Sequence, residues 1–177
     1  SLAYSFEDVV DDGQGGSGPD GFFGLGAAVS QSTIGVTHGD YSMKYDVGVG
    51  GFVGARTETV IPAALNDPPG VKYITFDFTL TEDYGHGFGV FGITMFGHQL
   101  NHPDGATFGN QIQFLNEYSF GGFAAGTYTA EINLDFAVSA FGFGKSFNEI
   151  FGPGPLDLTV ASAFQIFINK NVQTPVT

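Results

Sequence analysis

"KYITFDFTL", residues 72–80, is the stretch that decides the fold. It alternates without a break. Tyr73, Thr75, Asp77 and Thr79 fall on one side, and Ile74, Phe76, Phe78 and Leu80 on the other. Successive side chains of an extended strand point to opposite faces. A period of two therefore gives one apolar face, which must be core, and one polar face. Aromatic and β-branched residues suit such a half-buried pleated surface. "NDPPG" (66–70), just before it, is a strong turn signal.

Working outward, the same alternation recurs and helical periodicity is almost absent. The predicted strands are "AYSFE" (3–7), "AAVSQST" (27–33), "YSMKYDV" (41–47), "FVGARTETV" (52–60), "GFGVFGITMFG" (87–97), "NQIQFLNEY" (110–118), "GTYTAEINLDF" (126–136) and "AFQIFINKN" (163–171). Residues 11–26, "DDGQGGSGPDGFFGLG", read as a long flexible Gly-rich loop. "GKSFNEIFG" (144–152) is the one helical excursion, a short turn near 146–151. About nine short strands at this spacing predict an all-β fold. The expected form is a two-sheet antiparallel β-sandwich of jelly-roll type, one domain over 1–177.

Within 35–45, "GVTHGDYSMKY", Gly39 permits a tight turn with positive φ. Tyr41, Met43 and Tyr45 then point one way, and Ser42, Lys44 and Asp46 the other. His38 reads as a turn or rim residue.

The chain has 177 residues, enough to bury a core, with 28 Gly, 20 Phe, no Cys and no Trp. Five Lys and Arg against 18 Asp and Glu give a net charge of −13. No basic footprint exists to neutralise phosphates, so no nucleic-acid partner is expected. Anionic membrane surfaces are disfavoured likewise, and no apolar run is long enough for membrane insertion. The start at Ser1-Leu2-Ala3, without Met, fits a secreted chain whose signal peptide has been removed. With low Lys and abundant Gly, Ser and Thr, a bacterial extracellular or cell-surface location is expected.

Several chemical-looking patterns fail on context. "GFGVFG" (87–92) matches G-x-G-x-x-G, yet it alternates like a strand and no acid follows about 20 residues on. "GFGKS" (142–146) would need a Gly where Ser139 stands to be a phosphate loop. "EDVVDDG" (7–13) places Val10 and Pro19 at EF-hand ligand positions. His98 and His102 are spaced i, i+4, which pairs ligands only on a helix, and "GHQLNHPDG" is a loop. No Cys nucleophile and no singled-out carboxylate pair is present, so no enzyme is expected. The acids Glu7, Asp8, Asp11 and Asp12 are different. Four carboxylates this close repel unless they are solvated or bridged by a hard cation. A solvated loop and a structural Ca²⁺ site both fit.

The order "YSFEDVVDDG" (4–13), "STIGVTHGDYSMKYDV" (32–47), "YITFDFTL" (73–80) and "FQIFINKN" (164–171) resembles the bacterial carbohydrate-binding-module-like jelly rolls. These are galactose-binding-like sandwiches. The resemblance implies a non-catalytic module that contacts polysaccharide or extracellular matrix, with Glu7 at a Ca²⁺-binding position. Such modules stack sugars on Trp, which this chain lacks, so Tyr84, Tyr118, Tyr128 or exposed Phe must substitute. Arg56, Tyr84, His86, Gln111, Gln113 and Tyr118 are the candidate glycan contacts. The chain ends in "NVQTPVT" (171–177), where a further strand is expected. A missing strand would leave an open edge along 164–170. The alternative reading is therefore a filament or surface-layer subunit, a homopolymer that donates the N-terminal strand of Leu2, Tyr4 and Phe6.

Overall fold

The computed structural model of the protein describes residues 2–47, 52–59, 73–85, 87, 89–97, 111–115, 119–133 and 161–170. Among these the chain is all-β, with no helix. The helical turn expected near 146–151 lies outside the described residues. The strands are β1 (Val9–Asp11), β2 (Ser17–Pro19), β3 (Phe23–Leu25), β4 (Ala27–Ser32), β5 (Ser42–Val47) and β6 (Phe52–Thr57). Then follow β7 (Tyr73–Leu80), β8 (Gly89–Gly97), β9 (Gln111–Leu115), β10 (Gly126–Asn133) and β11 (Ala161–Lys170).

The largest sheet is antiparallel, in the order β3-β6-β11-β8-β9. Three two-stranded ribbons, β7–β10, β4–β5 and β1–β2, complete the described strands. β7 behaves as its alternation dictates. Ile74, Phe76, Phe78 and Leu80 turn inward to the core, while Tyr73, Thr75 and Asp77 are exposed. The Phe76 and Phe78 rings meet Phe91 of β8 at 5.2 Å and 4.7 Å. Ile132 of β10, Ile93 of β8, Ala55 of β6 and Phe164 of β11 share that core. Val29, Met43, Tyr45 and Val47 bring β4–β5 onto it. The β7–β10 and β4–β5 ribbons thus form a layer over the five-stranded sheet, an antiparallel β-sandwich. Edge-to-face and tilted ring contacts of this kind add to the burial of apolar area.

Three sequence expectations change. First, residues 3–7 are not a strand. Tyr4 and Phe6 instead dock as side chains, with Tyr4 5.0 Å from Phe22 and 5.3 Å from Phe164. Second, 11–26 is not a featureless loop. It carries β2 and β3 and plugs Phe22, 1% exposed, into the core. A Cβ on Gly18 would collide with the Phe22 carbonyl oxygen, so glycine here serves close approach rather than flexibility. Third, the 164–170 edge is closed. β11 lies in mid-sheet, laddered to β6 on one side and β8 on the other. No open groove remains there for a donated strand, and the proposed donor residues Tyr4 and Phe6 pack in their own chain.

The 35–45 turn follows the sequence reading. Gly39 has φ 72°, and Lys44 pairs outward with Asp46 at 3.2 Å. Tyr45 points inward, but its hydroxyl is buried without a hydrogen-bond partner. Burial pushes its pKa well above the usual tyrosine value. Tyr45→Phe removes an unsatisfied polar group, so it is expected to raise stability by about 1 kcal/mol. The folded value lies above the unfolded one. Stability is therefore intact below the unfolded pKa, about 10, and is lost as pH rises beyond it. The gain from Phe should then widen above about pH 10. Chemical denaturation at neutral and alkaline pH checks both parts, and a loss of stability at neutral pH would refute the assignment.

Candidate functional site

Acids near the N-terminus are read most directly from their donors. Glu7 Oε1 accepts the backbone N–H groups of Asp40 (2.9 Å) and Tyr41 (3.1 Å). Gly39 makes that approach possible, since a Cβ there would strike the Glu7 carboxylate. Asp12 is buried, and its Oδ1 accepts from Gln14 (2.7 Å) and Gly16 (3.1 Å). Asp11 is exposed and accepts from Gly13 at 2.7 Å. Asp8 is exposed, and its carbonyl accepts from Asp20 N–H at 2.8 Å. Converging N–H groups present positive ends to these oxygens, as a cation would. No group of three acids or histidines among the described residues is arranged to hold a metal. Glu7, Asp11 and Asp12 thus each engage a carboxylate oxygen with backbone N–H groups. The melting midpoint is therefore expected to be the same in chelator and in about 1 mM Ca²⁺, a concentration that fills weak extracellular sites. A rise with Ca²⁺ would support the metal assignment to Glu7, Asp8, Asp11 and Asp12.

The glycan candidates divide. Arg56, Gln165, Thr94 and Gln113 occupy one cross-strand row of the five-stranded sheet, and Gln111 pairs with Phe96 two residues along. Three candidates thus share one sheet through register, which their sequence separation conceals. The centre of the row is closed to a polymer, because Gln165 and Thr94 are 4% and 0% exposed. Arg56 Nε donates to Gln165 Oε1 at 3.0 Å, and its guanidinium pairs with Glu58 at 3.6 Å. Tyr84 is elsewhere and 3% exposed, with its ring 5.0 Å from Phe120. A ring so buried cannot stack on a sugar. His86 and Tyr118 lie outside the described residues.

The open polar surface is the outer face of β7 and β10. Its rows pair Thr79 with Thr127, Asp77 with Thr129, Thr75 with Glu131, and Tyr73 with Asn133. The Thr79 and Thr127 hydroxyls bond at 2.8 Å, and Thr129 Oγ1 donates to Asp77 Oδ1 at 2.7 Å. These bonds fix cross-strand partners and hold the side chains in a regular array. Tyr73, 50% exposed, stands at one end. From Tyr73 to Thr79 the platform runs about 20 Å, at roughly 3.3 Å per residue. No family model and no curated protein matches the chain. The reading of function therefore rests on this geometry.

The residues of this face were not among the candidate contacts, although the alternation displays them. The outward set of 72–80, Tyr73 with Thr75, Asp77 and Thr79, is the surface itself. Alternation marks the outward side as surely as the buried one. What the sequence could not supply was the partner strand, which adds Thr127, Thr129 and Glu131.

Proposed function

We propose that the chain is a non-catalytic, secreted β-sandwich module of jelly-roll type that contacts glycans at the cell surface or in the extracellular matrix. One observation carries the reading: the exposed β7–β10 face combines an open aromatic ring with ordered rows of hydroxyl and carboxylate groups. Sugars present alternating apolar ring faces and hydroxyl edges. A ring with flanking hydrogen-bonding groups complements both. The hydroxyl rows are already cross-bonded, so less side-chain freedom is lost on binding. One tyrosine on this face and no Trp in the chain give little stacking area, so affinity for one glycan chain is weak and gains from multivalent display. The test is a glycan array together with retention on insoluble polysaccharides, using the whole chain. Binding to at least one polysaccharide class is expected, and no binding to any would overturn the reading.

A further inference from the structure

We infer that the β7–β10 face takes a linear polysaccharide bearing free amino groups. The inference rests on the glycan-contact reading above and adds the sugar class. Charge selects the sugar. Asp77 and Glu131 both stand exposed on this face. Asp77 opposes Thr129 and Glu131 opposes Thr75, so the two acids are diagonal neighbours on adjacent strands. Such positions lie about 7–8 Å apart. None of the eight paired positions on the face is Lys or Arg. Lys44 and Arg56 are engaged elsewhere, with Asp46 and Glu58.

Two like charges on an open surface raise each other's energy and are relieved by a cation placed between them. A uronic-acid or sulfated polymer would bring a third negative charge and be repelled. A neutral polymer would leave both carboxylates uncompensated. A protonated amino sugar, at mildly acidic pH, supplies one ammonium per ring, which can donate to Asp77 and Glu131 while the ring lies along the strands toward Tyr73. The Asp77 carboxylate is held for this purpose by the Thr129 hydroxyl, which occupies only Oδ1. The chain as a whole, at −13, also steers a cationic polymer toward it.

Calorimetric titration at about 0.15 M salt, where long-range attraction is screened, and at about pH 5.5, where carboxylates are ionised and the amines protonated, tests this with four ligands. They are a glucosamine hexamer, its N-acetylated counterpart, a uronate hexamer and hexalysine. The glucosamine hexamer is expected to bind about tenfold tighter than the N-acetylated one. The uronate hexamer should not bind. Tyr73→Ala and Glu131→Gln should each weaken glucosamine binding by about five- to tenfold. Asp40→Asn, an equal charge change on the 35–41 turn, should leave it unchanged. Thermal midpoints confirm that these surface variants are folded. Hexalysine binding as tightly as the sugar would overturn the inference in favour of bare charge attraction. Equal binding of the N-acetylated hexamer, with Glu131→Gln silent, would overturn the amine assignment and leave the glycan reading standing. Glucosamine binding that survives both face variants would overturn the choice of face. Absence of hexamer binding alongside a positive array would overturn only the sugar class, whereas a blank array removes the glycan reading as well.

Discussion

Tyr84→Ala is expected to lower the thermal midpoint by roughly 8–14 °C, from a loss of about 3–4 kcal/mol. The Tyr84 ring is edge-on to Phe120 at 5.0 Å, and Phe120 in turn lies 5.0 Å from Phe91 and 5.9 Å from Phe78. Removing the first ring opens a cavity at the end of a chain of aromatics that joins the two layers. Neighbours in β7 and β8 are fixed by their ladders and can close it only in part. The Tyr84 backbone N–H, bonded to the Phe123 carbonyl at 2.8 Å, survives the change. Tyr84→Phe keeps the ring and should recover most of the stability. Scanning calorimetry of the two variants decides the matter. An alanine variant that melts like the parent would mean that Tyr84 is a surface residue after all.

That residue also shows where sequence reading stops. The strands were legible because burial on one face imposes a period of two. β5, β7, β8 and β10 begin and end within a few residues of the expected positions. Tyr84 follows the last alternating residue of β7, outside any periodic run, so nothing in its neighbourhood told inside from outside. Glycine misled in the other direction. Gly18 looks like flexibility in a sequence, yet it leaves room for one specific oxygen, the Phe22 carbonyl; Gly39, legible as a positive-φ turn, also leaves room for the Glu7 carboxylate. The acids were visible as a cluster, but Glu7 finds its partners in backbone N–H groups of the remote 40–41 turn, and backbone is silent in a sequence. Register was hidden too. Arg56 and Gln165 are 109 residues apart and meet only because β6 and β11 pair.

The acid with the greatest structural effect lay outside the conspicuous cluster. Asp20→Ala is expected to cost about 3 kcal/mol, or roughly 6–12 °C in midpoint. Asp20 is 9% exposed, and its Oδ2 accepts the N–H groups of Phe6 (2.8 Å) and Ser5 (3.1 Å). Its own N–H donates to the Asp8 carbonyl at 2.8 Å, and its carbonyl accepts from Thr57 Oγ1 at 3.0 Å. The N-terminal segment has no ladder of its own, so side chains supply what strands supply elsewhere. Asp20 holds its donors, while Gln31 Nε2 donates to the Phe6 and Glu7 carbonyls. Phe6 sits at φ 61°, a strained setting for a bulky side chain that persists only where its surroundings fix it. Alanine removes two charge-assisted bonds at once and leaves two partly buried N–H groups unmet. It also tolerates the φ of 48° at position 20 less well than aspartate does. Asp20→Asn keeps an acceptor oxygen and should fall between alanine and the parent. Loss of the clamp should free Tyr4 and Phe6 from Phe22, so hydrogen exchange at the Ser5 and Phe6 amides should speed up well before global unfolding. Unchanged exchange at those two amides in Asp20→Ala would show that aromatic packing alone holds the segment. In that case the carboxylate contributes little, and the strain at Phe6 is sustained by its contact with Phe22.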